Sequence, residues 1–256
     1  PTTPTPQEIG AYSIAGIQKY ESFKFQMDFS LSFTLPTSTG TGTMTMQEVG
    51  TGSVNIRDKQ MGLNMNRTME IPNQGTQNVT AEIYLIDGWM YMKANVPDVG
   101  VQWTRMRLTD ELWAIQSQIL NMTDFLKAPL DLGLAGSEII EGVDCYVLNI
   151  SPDVNTLTQW MEGQLQSGQD GIDLSGVDMS NILQNFTVKE WIAKDSYLPV
   201  KQQIVVKLDM ASLASGNSTP MNMEMSSTII YYDYGKPVTF QLPPDAINAT
   251  EITIPQ

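Results

Sequence analysis

Residues 23–35 read FKFQMDFSLSFTL. Every odd position, Phe23, Phe25, Met27, Phe29, Leu31, Phe33 and Leu35, is apolar, and every even one is polar. A period of two puts these sets on opposite faces of an extended chain, so this is a β-strand with one oily and one wet face. Pro36 cannot donate to a ladder, and glycines follow at 40 and 42, so the strand ends there. Upstream, Ile9, Tyr12, Ile17 and Tyr20 recur at helical spacing, which predicts a short helix within Gln7 to Tyr20.

The strand signature recurs along the chain. Gly50 to Ile56 reads as a short, Gly-rich strand. Met61, Leu63, Met65, Met69 and Ile71 share one face of the next, with Arg67 the exception. Thr80 to Ile86 and Trp89 to Lys93 flank Asp87-Gly88, a two-residue hairpin signal. Val101 to Leu108 is a further strand. Ile139 and Ile140 lead through Glu141-Gly142 to Cys145 to Ile150. Phe186 to Lys194 and Pro199 to Asp209 flank a turn at Asp195-Ser196; Met221 to Tyr234 and Pro237 to Gln241 close the series.

Helices interrupt the middle. Thr109 can cap one carrying Leu112, Trp113, Ile115, Ile119 and Leu120. Asp124 starts a turn with Phe125 and Leu126, and Asp153 can cap a helix with Leu157, Trp160, Met161 and Leu165 on one stripe. A short helix through Met179, Ile182 and Leu183 follows a Gly/Asp-rich loop. With no repeat at a fixed period and no internal linker, residues 7–256 read as one domain, preceded by a Pro/Thr tether over residues 1–6 that prefers an extended, solvated chain. Any targeting segment is expected upstream of that tether.

Composition removes whole classes of function. The 256 residues carry a net charge of −14, no histidine and one cysteine, Cys145. A disulfide framework within the chain, a Cys/His zinc site and a histidine-based nucleophile system all lack their parts. Such acidity repels phosphate, so no nucleic-acid partner is expected. No cofactor and no metal is called for. Carboxylate pairs such as Asp110/Glu111 and Asp131/Glu138 are common by accident among 28 acidic residues, and Asp170, Asp173 and Asp178 do not have the spacing of a calcium loop. The expectation is a non-enzyme.

Seven N-x-S/T triplets occur, at Asn66, Asn78, Asn121, Asn149, Asn185, Asn217 and Asn248, with Asn149 weakened by Pro152. Composition alone would supply about two or three. They read as glycosylation acceptors of an extracellular, cell-surface protein, and a disulfide-free acidic exterior suits an archaeal surface.

Long amphipathic antiparallel strands need a cover for their oily face, and the mid-chain helices are the available one. The expected fold is α+β: a single curved antiparallel sheet, a half-open β-barrel, with two or three helices covering its concave face. An ordered set of segments resembles the LolA-like superfamily, including its LppX/LprG-type lipoproteins. These are the helix and strand ending at Leu35, the EIYLIDGWMYMK hairpin at 82–93, Trp103, the helical insert, EGVDCYVL at 141–148, WIAKDSYLPVK at 191–201, and YDYGKPV at 232–238 followed by Leu242-Pro243. The resemblance implies helices acting as a lid, a hydrophobic cavity that holds acyl chains, and a lipid anchor upstream that ties the protein to the outer face of the cytoplasmic membrane.

The candidate cavity residues are Phe25, Met27, Phe29, Met65, Met90 and Met92 on strands, and Trp113, Leu120, Phe125, Trp160, Met161 and Ile182 on helices. Methionine is flexible and polarisable, so the 16 methionines suit either a plastic wall for acyl chains or ordinary core filling. The lid aromatics gate a cavity or pack helix to sheet. The first functional expectation is a surface-tethered carrier or sensor of lipids or other apolar molecules, with a surface protein as a further partner. The alternative is a structural surface or filament subunit that assembles by strand pairing.

Overall fold

The computed structural model describes residues 3–37, 40–96, 100–118, 126, 131–151, 182–209 and 222–252. Helix α1 spans Pro6–Ile17. Strands β1 Ser22–Thr37, β2 Gly40–Asn55, β3 Gln60–Ile71, β4 Gly75–Ile86, β5 Trp89–Val96 and β6 Gly100–Arg107 follow, then helix α2, Asp110–Gln118. The second half contributes β7 Asp131–Ile140, β8 Val143–Ser151, β9 Leu183–Ala193, β10 Pro199–Asp209, β11 Asn222–Tyr232, a 3-10 turn at Pro244–Asn248 and β12 Thr250–Glu251.

The strands form one open, curved sheet in the order β12-β6-β5-β4-β3-β2-β1-β11-β10-β9-β8-β7. β1 lies near its centre, paired over its whole length with β2 and over ten residues with β11. All pairings but one are antiparallel. The exception corrects the all-antiparallel expectation: after the 3-10 turn the chain lays β12 parallel to the edge strand β6, Thr250 beside Thr104.

Alternation fixes two faces. On the inner face, Phe23, Phe25, Val54, Met61, Leu63, Ile83, Leu85, Met90, Ile229 and Tyr231 form one buried cluster, against which Ile17 of α1 and Trp113 of α2 pack. Ile9 of α1 joins a second inner cluster with Leu148, Ile150, Val188, Ile192, Val206 and Leu208. Smaller clusters on the outer face gather Cys145, Val147 and Trp191, and Tyr91, Trp103 and Ala246.

α1 begins in a capping box: Thr5 Oγ1 accepts from the Glu8 N–H at 3.2 Å, and Glu8 Oε2 accepts from the Thr5 N–H at 2.7 Å. Thr5 and Pro6, assigned on composition to the tether, are thus the cap and first residue of the helix. Gly10 and Gly16 let it sit close: a Cβ there would stand 3.5 Å from Leu132 and from Leu198. α2 starts as expected, with the Leu112 N–H donating to Thr109 Oγ1 at 3.2 Å.

Four further readings are corrected. The Gly-rich strand is 16 residues long rather than the short segment expected, because its partner β1 templates it. Leu183 opens β9 instead of closing a helix. Residues 237–241 form no strand, and β11 stops at Tyr232, where Asp233 and Gly235 turn the chain with φ of 56° and 68°. Pro237 removes a ladder donor at that point. The helices expected around Trp160 and Met179 lie outside the described residues.

Candidate functional site

The odd residues of β1 run along the inner face, and glycines opposite them make room. Phe25 faces Gly52 and Met27 faces Gly50 on β2. A Cβ on Gly50 would meet Met27 Cγ at 3.1 Å and Met65 Cγ at 3.3 Å, so the two methionine side chains converge over that glycine. Met90, Met92 and Met106 carry the wall across β5 and β6.

Six of the expected cavity residues therefore meet in one cluster: Phe25, Met27, Met65, Met90, Met92 and Trp113. Ile182 lies in the other inner cluster, with Ile9 and Val188. Phe29 is half-buried between the two, flanked across the strands by Glu48 and Ser227. Leu120, Phe125, Trp160 and Met161 lie outside the described residues.

Burial changes along this face. Phe23, Phe25, Val54, Met61 and Leu63 are closed off near α1. Further along the same strands Met27, Phe29, Leu31, Phe33, Met44, Met46, Met65 and Met69 are only half-buried, as is Met92 on β5. The oily face thus keeps accessible apolar side chains, most of them methionines. Arg67, the polar exception on β3, donates through Nε to Glu48 Oε2 at 2.7 Å, and Glu48 is 7 % exposed. The ion pair neutralises both charges at the border of the methionine wall.

Sequence reasoning passed over one inner-face group. Glu190 stands between Val188 and Ile192 in the alternation of β9, opposite Leu148 and Gln202. It is fully buried and burial drives its pKa well above the ordinary value; burial likewise raises the Tyr231 and Tyr234 hydroxyls, both within electrostatic reach of Glu190. The signal was legible as a carboxylate at an apolar position of a period-two pattern.

The outer face differs. Trp89 lies under Arg107 at 3.9 Å and Arg105 at 4.6 Å, and Lys201 sits 4.3 Å over Trp191. Clefts of about 500 and 520 Å³ open there, the first lined by Gln26, Asp28, Asn64 and Thr228, the second by Val143, Ala193, Val200 and Tyr232. The strand sequons also project outward: Asn66, Asn78, Asn149 and Asn185 are exposed there, and Asn248 is exposed in the 3-10 turn. Asn121 and Asn217 lie outside the described residues.

The carboxylate pairs noted in the sequence are occupied or apart. Asp110 binds Lys59 at 2.5 Å, and Glu138 accepts from Trp191 Nε1 at 2.7 Å. Asp131 sits seven residues before Glu138 on the extended β7, about 23 Å away. The Cys145 thiol is buried and donates to the Val143 carbonyl at 3.4 Å, and burial pushes its pKa up to about 11, so it offers no thiolate near neutral pH.

One open curved sheet, centred on a long amphipathic strand and with the N-terminal helix packed on its apolar face, is the LolA-like fold. LprF from Mycobacterium bovis has it: TM-score 0.50 at 13% identity, covering 94% of this chain and 98% of that one. The lipoprotein LppX of Mycobacterium tuberculosis aligns with TM-score 0.45 and 12% identity over 93% and 99% of the two chains. A LolA superfamily protein from Nitrosomonas europaea aligns with TM-score 0.24 and 16% identity over 96% and 97%. At such identities the likeness speaks for the fold alone, and the LprF match carries it. By sequence, the chain belongs to DUF6612, a family of unknown function, whose profile matches residues 5–251. No curated protein matches the chain in sequence.

Proposed function

We propose that this protein is a carrier or sensor of lipids or other hydrophobic molecules, holding its guest against the methionine-rich inner face. The carrying observation is the row of half-buried apolar side chains from Met27 to Phe33 and from Met65 to Met69, which a protein filling its own core would close. Each methylene buried there is worth about 0.8 kcal/mol, so a sixteen-carbon chain gains on the order of 12 kcal/mol before entropy is lost. Thioether side chains adapt to guests of varied shape. In this reading α1 and α2, which pack on the same face, are the lid, and no bond-making chemistry is required.

The setting is a cell envelope. The described strand sequons all project from the outer face, and the Pro/Thr-rich composition ahead of Thr5 suits an extended, solvated tether. The expected sequons are then glycosylated, and the protein acts at the external surface, with a surface partner receiving the guest.

Native mass spectrometry and organic extraction of the purified full chain test the reading. The expected result is a co-purifying lipid or a stoichiometric complex with added long-chain lipid. A guest-free protein that takes up no apolar probe and instead polymerises through its sheet edges would replace the carrier with a strand-pairing surface subunit.

A further inference from the structure

Neither carboxylate oxygen of the fully buried Glu190 has a hydrogen-bond partner. Its neighbours in the alternation, Val188 and Ile192, both enter the cluster that Ile9 of α1 joins, so the carboxyl projects into the layer beneath that helix. Ser13, one helical turn beyond Ile9, is buried with an unpartnered Oγ. The Tyr231 hydroxyl, on β11 and within electrostatic range of Glu190, is buried and unpartnered as well. An unmade buried hydrogen bond costs about 1–3 kcal/mol, so native interiors keep few of them. Here three elements each bring one to the inner face.

Among the described residues, none brings a cation to this layer. α1 turns Ile9, Gly10, Ser13 and Gly16 inward. Glu190 is flanked by Leu148 on β8 and Gln202 on β10, and the titratable groups within its electrostatic reach are Tyr231 and Tyr234. Burial, with no described positive charge to oppose it, drives the carboxyl's pKa well above the ordinary value and favours its neutral form.

We propose that Ser13, Glu190 and Tyr231 seat the polar end of the guest, and that this end is a hydrogen-bond donor, a long-chain amine fitting best. The inference rests on the carrier reading and names its ligand class. An ammonium head supplies a positive charge that no described residue of the layer provides. Pairing with it favours the ionised form of Glu190, and the proton carried by the neutral carboxyl leaves to solvent as the guest binds. A carboxylate or phosphate head would meet a buried carboxyl with no cation among the described residues to offset it and is disfavoured.

Dodecylamine and dodecanoate are titrated calorimetrically into the full chain at pH 6 and pH 8, with the neutral fluorophore N-phenylnaphthylamine reporting on the apolar face alone. The wild type is expected to bind the amine at least about tenfold more tightly than the carboxylate, and more tightly at pH 8. Glu190→Gln keeps fluorophore binding and loses both the amine preference and its pH dependence. Tyr231→Phe, which keeps the ring, weakens the amine several-fold and serves if Glu190→Gln does not fold. Equal affinity for the two amphiphiles, or an unchanged preference in folded Glu190→Gln, overturns the anchor and leaves the carrier reading standing. A wild type that binds neither the fluorophore nor the amine sinks the carrier reading, and the anchor with it.

Discussion

The ring of Phe25 lies over Gly52, its partner across the β1–β2 pair: a Cβ at position 52 would stand 2.7 Å from Phe25 Cε1, and closer to Cζ. The space a side chain would take on β2 is occupied by one from β1. The same trade recurs two residues on, where Met27 and Met65 close over Gly50. The glycines therefore shape the inner face: they let large side chains from neighbouring strands lie down instead of standing up into the layer beneath the helices.

A side chain at 52 must displace the Phe25 ring from a fully closed cluster. Gly52→Val is expected to cost about 2–3 kcal/mol through overpacking. Gly133→Ala, on β7 where a new Cβ would meet nothing within 4 Å, is expected to stay within about 0.5 kcal/mol of wild type. Urea denaturation of the two variants checks the contrast; equal midpoints would show that the Phe25–Gly52 contact does not order this cluster.

Met65 is half-buried where the closed cluster gives way to accessible surface. Met65→Gln keeps length and flexibility but places an amide in the path of an acyl chain. Desolvating that amide costs about 1–3 kcal/mol, so affinity for an apolar fluorophore should fall about tenfold, while the thermal midpoint moves little. A large loss of midpoint with unchanged affinity would make Met65 core filling rather than wall.

Much of this was legible before the structure. β1 announces itself by unbroken alternation and β3 by an alternation broken only at Arg67, and Asp87-Gly88 supplies the two positive φ values, 51° and 75°, that a tight hairpin needs. The strand methionines could be assigned to the inner face because a period of two leaves no other choice. β2 was not legible at full length, since threonines and glycines carry little apolar alternation, and what makes residues 40–49 a strand is the ladder offered by β1. The parallel return of β12 has no local signature at all. Glu190 was visible as a misfit in an apolar row, but its burial depends on β8, β10 and α1, which only the fold brings together.

Cys145 tests the burial of the outer cluster. With its pKa pushed up to about 11 and its sulfur enclosed, it should resist Ellman's reagent at pH 8 in the native protein and react stoichiometrically once unfolded in urea. Fast native labelling would mean that the Val147–Trp191 cluster opens readily.

Glu190 also sets a pH dependence of stability. Its folded pKa lies well above the ordinary 4.5, and the first cause is burial. A group raised on folding contributes stability that is complete below its unfolded pKa and is lost as pH rises toward the folded one, because the unfolded chain can ionise while the native one cannot. Stability should therefore fall from pH 4.5 upward by up to about 1.4 kcal/mol per pH unit from this group, until the native carboxyl itself ionises. Glu190→Gln, which keeps the shape and removes the titration, should gain on the wild type as pH rises, with the two converging toward pH 4.5. Guanidinium unfolding of both proteins at pH 4.5, 6 and 8 reads the difference directly. A gap that stays constant with pH would mean that the native carboxyl ionises freely, and that the layer beneath α1 admits water or a counter-charge.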